Sequence, residues 1–433
     1  MDVEGPLTDG EAGAGYRLLF GDLPLKRLDR PVAEAPAVGR GRGGRGGRGG
    51  PAPEPRYEVV SEHPQQDAER LIRSFMQRAF RTPVEERKVE RYLGLYNSEV
   101  NTGHNFTDAM ISAYTGVMSS PGFVFVNEAP GLLDDNALAT RLALFLWNSE
   151  PDETLRGLAA RGELGKSDVL KVQTERMLKD DKSQRFLESF TDYWLDIRKM
   201  DETTPSVTLY NDYFLDDMLM DAALDETRLF VADLLRRDLP VRNIVDSDFT
   251  YLNEHLALHY GISGVEGVAM RRVALPADSP RGGLMTQASV LKITANGTTT
   301  SPVLRGVWIT ERIIGNPIPP PPAAVPAVEP DTRGAVTIRE QLEKHRADES
   351  CAVCHRKLDA PGFALESFDV MGGWREKYRA SSLEVPPAFG FGQNGHPFAF
   401  HFAQPVDPSG ALPDGRAFND VRDFKRLLLN DEV

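Results

Sequence analysis

DDNALATRLALFLWNSEPDETLRGLAA, residues 134–160, reads as two short helices joined by a tight loop. Asp134-Asp135 is a start signal, because acidic side chains bond the free N–H groups of a first turn and oppose the positive end of the helix dipole. Leu138, Leu142, Phe145, Leu146 and Trp147 then form an apolar stripe at helical spacing. A second helix is expected from Asp152 to Ala160, and others over 168–178, 184–197 and 213–235. Short loops between successive amphipathic helices make a helical bundle. Phe190, Trp194 and Phe230 are read as its core, and DFTYLN (248–253) as the cap of a further helix.

Upstream the same texture holds. Leu71, Ile72, Phe75, Ala79 and Phe80 repeat at three and four residues, Val89, Tyr92, Leu93 and Tyr96 mark a second helix, and Ala109, Ile111, Tyr114 and Val117 a third. Residues 1–56 differ. They are rich in Gly, Pro and Arg, include RGRGGRGGR at 40–48, and are expected to be a flexible linker.

Downstream, residues 281–315 read as a helix, a Thr/Gly/Asn loop and a helix opening at Ser301-Pro302. A proline run (Pro317, Pro319 to Pro322, Pro326, Pro330) is expected to be an extended strap. Beyond it lie the only two cysteines of the chain, both in Cys351-Ala352-Val353-Cys354-His355. C-x-x-C-H is the attachment signature of a c-type haem, in which two thioethers hold the porphyrin and the adjacent histidine ligates the iron. The spacing suits the task. Two intervening residues make about one helical turn, bringing both sulfurs to one porphyrin edge. A zinc site would want four ligands, and the segment offers no second C-x-x-C and only His345 as a fourth donor. A redox dithiol would want a strand before the motif, where the chain instead has the charged helical stretch 337–346. Haem is the preferred reading.

His355 is then the proximal ligand, and Met371, sixteen residues on, the nearest candidate for the sixth. Met285, His259, His345, His396 and His401 could reach it only by folding. Arg375 and Arg281 are candidates for the haem propionates, and Phe363, Phe368 and Trp374 for the apolar wall that sets the potential. Glu226, Asp246, Asp248 and Glu366 could act as acids or bases only if buried in a cleft, and Asp246 and Asp248 are read as caps of a helix beginning near Tyr251. No G-x-S-x-G, phosphate loop or H-E-x-x-H is present.

The 433 residues carry a net charge of −14, which argues against nucleic acid as a partner, and no stretch approaches the ~20 apolar residues of a membrane span. Residues 1–25 open acidic, with no basic region followed by an apolar core. Because c-type haem is attached after export, we expect an exported, periplasmic protein of which this chain is a fragment. FKRLLLNDEV (424–433), stopping in mid-helix, agrees with that expectation.

Taken together, LATRLALFLWNSEPDETL (138–155), FTYLNEHLALHYGISGV (249–265), RGGLMTQASVLKITANGTTTSPVLRGVWITERIIGNPIPPPP (281–322), CAVCHRKLDAPGFALESFDVMGGWR (351–375) and, more weakly, PVDPSGALPDGRAF (405–418) resemble a family. It is that of the large haem-bearing proteins, built of consecutive domains of unknown function, abundant in planctomycetes and related bacteria. The resemblance runs from about residue 66 to the end. It implies helical bundles, a C-x-x-C-H segment and export, often with a further cytochrome-like domain upstream that this chain lacks. The sequence departs from the pattern at Asp359-Ala360-Pro361, where Asp-Pro is usual, and at Gly297, where Asn-Pro is usual. No reaction follows from it.

The expected fold is mainly α: consecutive helical bundles with a haem c-type segment and a short C-terminal β-hairpin and loop region. The expected domains are a linker (1–56), a helical domain (57–130), a helical bundle (131–275), a haem-binding C-x-x-C-H domain (276–380) and a partial C-terminal domain (381–433). The expected function is electron transfer to a redox partner protein through one covalent haem c. The alternatives are a haem-dependent oxidoreductase acting on peroxide or an organic substrate, and a scaffold with a structural haem or metal. A fixed sixth ligand separates the first from the second.

Overall fold

The computed structural model describes residues 14–28, 56–80, 84–126, 128, 130–319, 337–345, 349–382 and 386–430, and the chain divides after Met177 into two compact units. The Arg/Gly run at 40–48 and the proline run from Pro320 onward lie outside the described residues. The fold is mainly α.

The first unit opens with α1 (Ala14–Phe20) and with β1 (Leu25–Leu28), which pairs antiparallel with β2 (Arg56–Val59). Structure thus begins inside the stretch read as a linker. The three helices α2 (Pro64–Ala79), α3 (Glu86–Asn101) and α4 (Phe106–Met118) bury Ile72, Met76, Tyr92, Tyr96, Tyr114 and Val117 in one core with Phe20. The short α5 (Pro121–Val124) follows. Then come α6 (Asp135–Trp147) and α7 (Glu153–Ala160), capped as their sequence demands: Asp134 accepts from Ala137 N at 2.8 Å and Asp152 from Leu155 N at 2.9 Å. Trp147 is buried and donates to the Met177 carbonyl at 3.0 Å. The helix α8 (Ser167–Lys179) runs across the division.

The second unit contains α9 (Ser183–Trp194), α10 (Val207–Tyr210) and α11 (Asp217–Arg236). The last starts later than its apolar pattern suggests. Leu215 adopts a left-handed conformation and Asp216 caps the helix by accepting from Leu219 N at 3.0 Å. The stretch read as a cap at 248–253 is a strand, β3 (Phe249–Leu252), which pairs with β4 (Arg271–Ala274). The cap of α12 (Glu254–Tyr260) is Asn253, which accepts from Leu256 N at 2.9 Å. Phe249 is aromatic and Thr250 β-branched, and Phe249, Thr250 and Leu252 are all buried, so 249–252 pairs as a strand and only Asn253 is left to cap.

The short α13 (Ala288–Ile293) and α14 (Pro302–Trp308) follow, with Ser301 capping α14, Pro302 in its first turn and a π turn over Ile309–Ile313 extending it. Beyond them are α15 (Ile338–His345) and α16 (Glu349–Phe363). The C-terminal part holds strands β5 (Lys377–Ala380), β6 (Ala388–Phe391) and β7 (Pro397–Pro405) in the order β5-β7-β6, a sheet the sequence reading did not anticipate. The pair β8 (Gly410–Ala411) and β9 (Ala417–Phe418) and the helix α17 (Val421–Leu429) complete it. Phe230, Phe249, Trp308, Leu365, Phe368 and Phe424 share one core, each buried side chain of this size contributing roughly 1.5–3 kcal/mol. Of the three aromatics read as core, Phe230 is buried, Trp194 half-buried and Phe190 exposed.

Candidate functional site

The helix α16 carries the C-x-x-C-H motif. The side chains of Cys351 and Cys354 lie outside what is described, and a three-residue step sets such positions on neighbouring turns of one helix face. His355 is half-buried, and its Nδ1 lies 2.8 Å from Oδ1 of buried Asp359, one turn along the same helix. An ionised carboxylate only accepts, so this contact pairs it with a proton on Nδ1 and leaves the ring's lone pair on Nε2.

The position of α16 is set by its crossing with α14. An added Cβ on Gly306 would overlap the Leu358 carbonyl, and one on Gly362 the Pro302 carbonyl. Two helices touching at the backbone through reciprocal glycines leave no room for a side chain at either point. Phe363, at the end of α16, is buried beneath the Arg339 guanidinium, 3.9 Å from its ring centre.

Directly after α16 the chain enters a buried polar network. Glu366 is fully buried and takes four donors. Arg305 Nη1 lies at 3.3 Å on one carboxylate oxygen; Thr300 Oγ1 at 2.8 Å, Arg375 Nη2 at 3.0 Å and Tyr378 Oη at 3.0 Å lie on the other. Arg305, equally buried, also donates to the carbonyls of Leu365 (2.7 Å), Phe368 (2.8 Å) and Asp369 (2.9 Å). Its planar fork lets one side chain tie down a whole turn of backbone. Asp369 accepts from Met371 N, Gly373 N and the Tyr213 hydroxyl, at 2.9, 2.8 and 3.0 Å.

Beside this turn lies a second buried acid. Glu226 accepts from Thr250 Oγ1 at 2.6 Å and from the Tyr260 hydroxyl at 2.5 Å, and that hydroxyl accepts from Ala288 N at 2.7 Å. Burial outweighs these bonds and the nearby Arg281 charge, raising the Glu226 carboxyl from 4.5 to about 7.

The residues singled out from sequence are distributed as follows. Arg281 is buried, donates to the Thr286 and Gly372 carbonyls at 3.0 and 2.6 Å, and lies over the Tyr260 ring. Arg375 is committed to Glu366 and stacks on Tyr378. Met371 is buried in a core cluster with Leu252, Tyr260 and Ala288, and its carbonyl accepts from His259 Nε2 at 2.9 Å. Desolvation lowers the His259 pKa. Phe368 is buried, and Trp374, 47 % exposed, meets it edge-on. Asp246 reaches Lys425 at 3.1 Å and Asp248 is exposed, so neither caps α12. Arg281, Met371, Phe368, Trp374 and Arg375 are gathered around the 366–375 segment, which continues directly from α16. Among the described residues no group of three His, Cys, Asp or Glu side chains could hold a metal ion.

Sequence reading passed over Asp359 as a partner of His355. An acid four residues after a histidine on a helix is the signal that finds it. Arg305 was missed for lack of any signal, since its role arises only when α14 meets the chain after α16.

Three family models match consecutive stretches of this chain. Residues 67–128 match PSD5, 133–262 match PSD4 and 281–378 match PSCyt3, described respectively as proteins of unknown function DUF1595, DUF1592 and DUF1588. They support a likeness to planctomycete-type multi-domain proteins. The PSD4 stretch runs across the division between the two units, and the PSCyt3 stretch contains α16 and the polar network after it. No curated protein and no solved structure matches the chain.

Proposed function

We propose that this is an exported c-type cytochrome-like protein that holds one covalent haem at Cys351, Cys354 and His355 and passes electrons to a redox partner. The observation that carries the reading is the 2.8 Å contact of His355 Nδ1 with Asp359 on the helix that bears C-x-x-C. Metal-ligating histidines characteristically donate their second ring nitrogen to a carboxylate or carbonyl, which fixes the tautomer and raises the basicity of the ligating nitrogen. The donor set thus fits the group: two thiols for thioethers and an imidazole oriented through its far nitrogen. The name PSCyt3 for the matching stretch points the same way. A haem bound there supplies one-electron chemistry.

The chain's own residues have definable tasks in this reading. Asp359 holds the imidazole, the glycines of α14 and α16 hold the helix, and the Glu366 network keeps the following turn rigid. Electron transfer gains from such a rigid setting, since little has to move when the charge changes. The net charge of −14 suits a basic partner, and a reduction rate that falls with added salt is the check.

One observation favours a second reading. Met371 is packed in a core cluster, so the sixth position would fall to another group or stay open, as in haem oxidoreductases. The test of the first claim is expression in a host that exports proteins and matures c-type cytochromes, followed by the mass of the denatured chain. An increase of one haem, absent in Cys351→Ala/Cys354→Ala, supports the proposal; an unmodified mass overturns it.

A further inference from the structure

The second unit contains a cleft of about 660 Å³ remote in sequence from the motif. Its walls are the 242–248 segment before β3, the 275–281 loop after β4 and the first turns of α17. The volume lies in the range of small-molecule sites.

Lys425 lines this cleft with its side chain only 2 % exposed. An ammonium has three N–H donors, and here two are used, at 3.1 Å to Asp246 Oδ1 and 3.3 Å to the Pro280 carbonyl. No third acceptor is found among the described residues, and both contacts are long for a charged donor, which usually sits at 2.7–2.9 Å. Asp246 is itself nearly half exposed, so it offsets the buried charge only in part. Burial lowers the Lys425 pKa, and Asp246 opposes the shift. A buried cation with a spare donor is costly unless something completes it.

The charge of the cleft is unlike that of the chain. Its carboxylates Asp420 and Asp423 are occupied locally, by Arg422 and Arg426. Asp420 also accepts from the N–H groups of Arg422 and Asp423, so the N-terminus of α17 is already filled. Arg242, exposed at the rim, has no carboxylate within ion-pair distance among the described residues. Arg242, Arg422, Lys425 and Arg426 line the cleft with Asp246, Asp248, Asp420 and Asp423. Arg281, its guanidinium held by the Thr286 and Gly372 carbonyls, adds its charge nearby, a small positive excess within a protein of net charge −14. Such a place concentrates anions that the rest of the surface repels.

We propose that this cleft binds a small oxyanion-bearing ligand, a carboxylate or phosphate compound, with Lys425 at its floor and Arg242 at its rim. This inference is independent of the haem reading. The test is thermal unfolding of the full chain titrated with potassium phosphate or sodium malonate, against potassium chloride at matched ionic strength. A ligand that binds only the folded state raises Tm in a saturable way. The expected result is such a rise with phosphate, malonate or both, the better probe identifying the chemistry. Arg242→Ala, at an exposed position, should weaken it about fivefold or more, and Lys425→Met should abolish it. A response no larger than that of chloride overturns the proposal, and so does a response that Arg242→Ala leaves intact, the mark of an adventitious ion only.

Discussion

Gly306 in α14 lies so close to the backbone carbonyl of Leu358 in α16 that a side chain on it would overlap that carbonyl. Gly362 repeats the arrangement in reverse against Pro302. The helix bearing C-x-x-C-H therefore packs backbone to backbone against α14 at these two points. Gly306→Ala or Gly362→Ala must push the pair apart, with an expected loss of about 3 kcal/mol or more. Chemical denaturation measures it; wild-type stability in both variants would show that the crossing is not what fixes α16.

Glu366 is expected to behave as a single point of failure. It balances Arg305, fully buried like itself, and Arg375, whose side chain is 8 % exposed, and removing it leaves two cations without their shared anion. Loss of one partner from a buried pair costs roughly 3–5 kcal/mol. Glu366→Ala should approach that figure, while surface Glu69→Ala, which removes an exposed ion pair, should change stability by about 1 kcal/mol or less. A small effect at Glu366 in urea unfolding would mean that water replaces the carboxylate.

Glu226 makes stability depend on pH in a direction opposite to that of a salt-bridged acid. Its folded pKa of about 7 stands above the ordinary 4.5, so between these values the folded protein holds a proton that the unfolded chain has released. Stability is therefore fully present below about pH 4.5, declines as pH rises through the window and levels off above about 7. The decline is on the order of 3 kcal/mol. Glu226→Gln should remove this component, measured as the difference in urea midpoint between pH 5 and pH 8. A variant that keeps the wild-type slope would assign it to other groups.

Asp359→Asn tests the orientation of His355. On the proposed function the variant should still attach haem, since both cysteines and the imidazole remain. Its midpoint potential should rise, because a less basic imidazole stabilises the oxidised iron less. An unchanged potential in redox titration would show that Asp359 serves only to pack α16.

The helices from Asp134 to Ala160 were legible in sequence because caps and apolar spacing agree there, with Asp134 and Asp152 both in use. The strand β3 was not, since its four residues carry too little pattern to compete with nearby capping signals. The start of α11 was hidden by Leu215, whose left-handed backbone nothing in a leucine signals and which breaks the helix just before its Asp216 cap. At the candidate site, Cys351, Cys354 and His355 stand out by spacing alone. The partners of Arg281 and Arg375 did not, because buried hydrogen bonds join residues distant in sequence, such as Arg375 with Thr300 and Arg281 with Gly372. Nothing local marks a charge that will be buried.

The most direct measurement is the reduced visible spectrum of the chain after maturation and export, with Cys351→Ala/Cys354→Ala alongside. The predicted result is sharp reduced c-type bands that vanish in the double variant and are unmoved by carbon monoxide, with the haem still bound to the chain after denaturation. Bands that shift with carbon monoxide would mean an open iron and an oxidoreductase. A colourless protein would contradict covalent haem at α16 altogether.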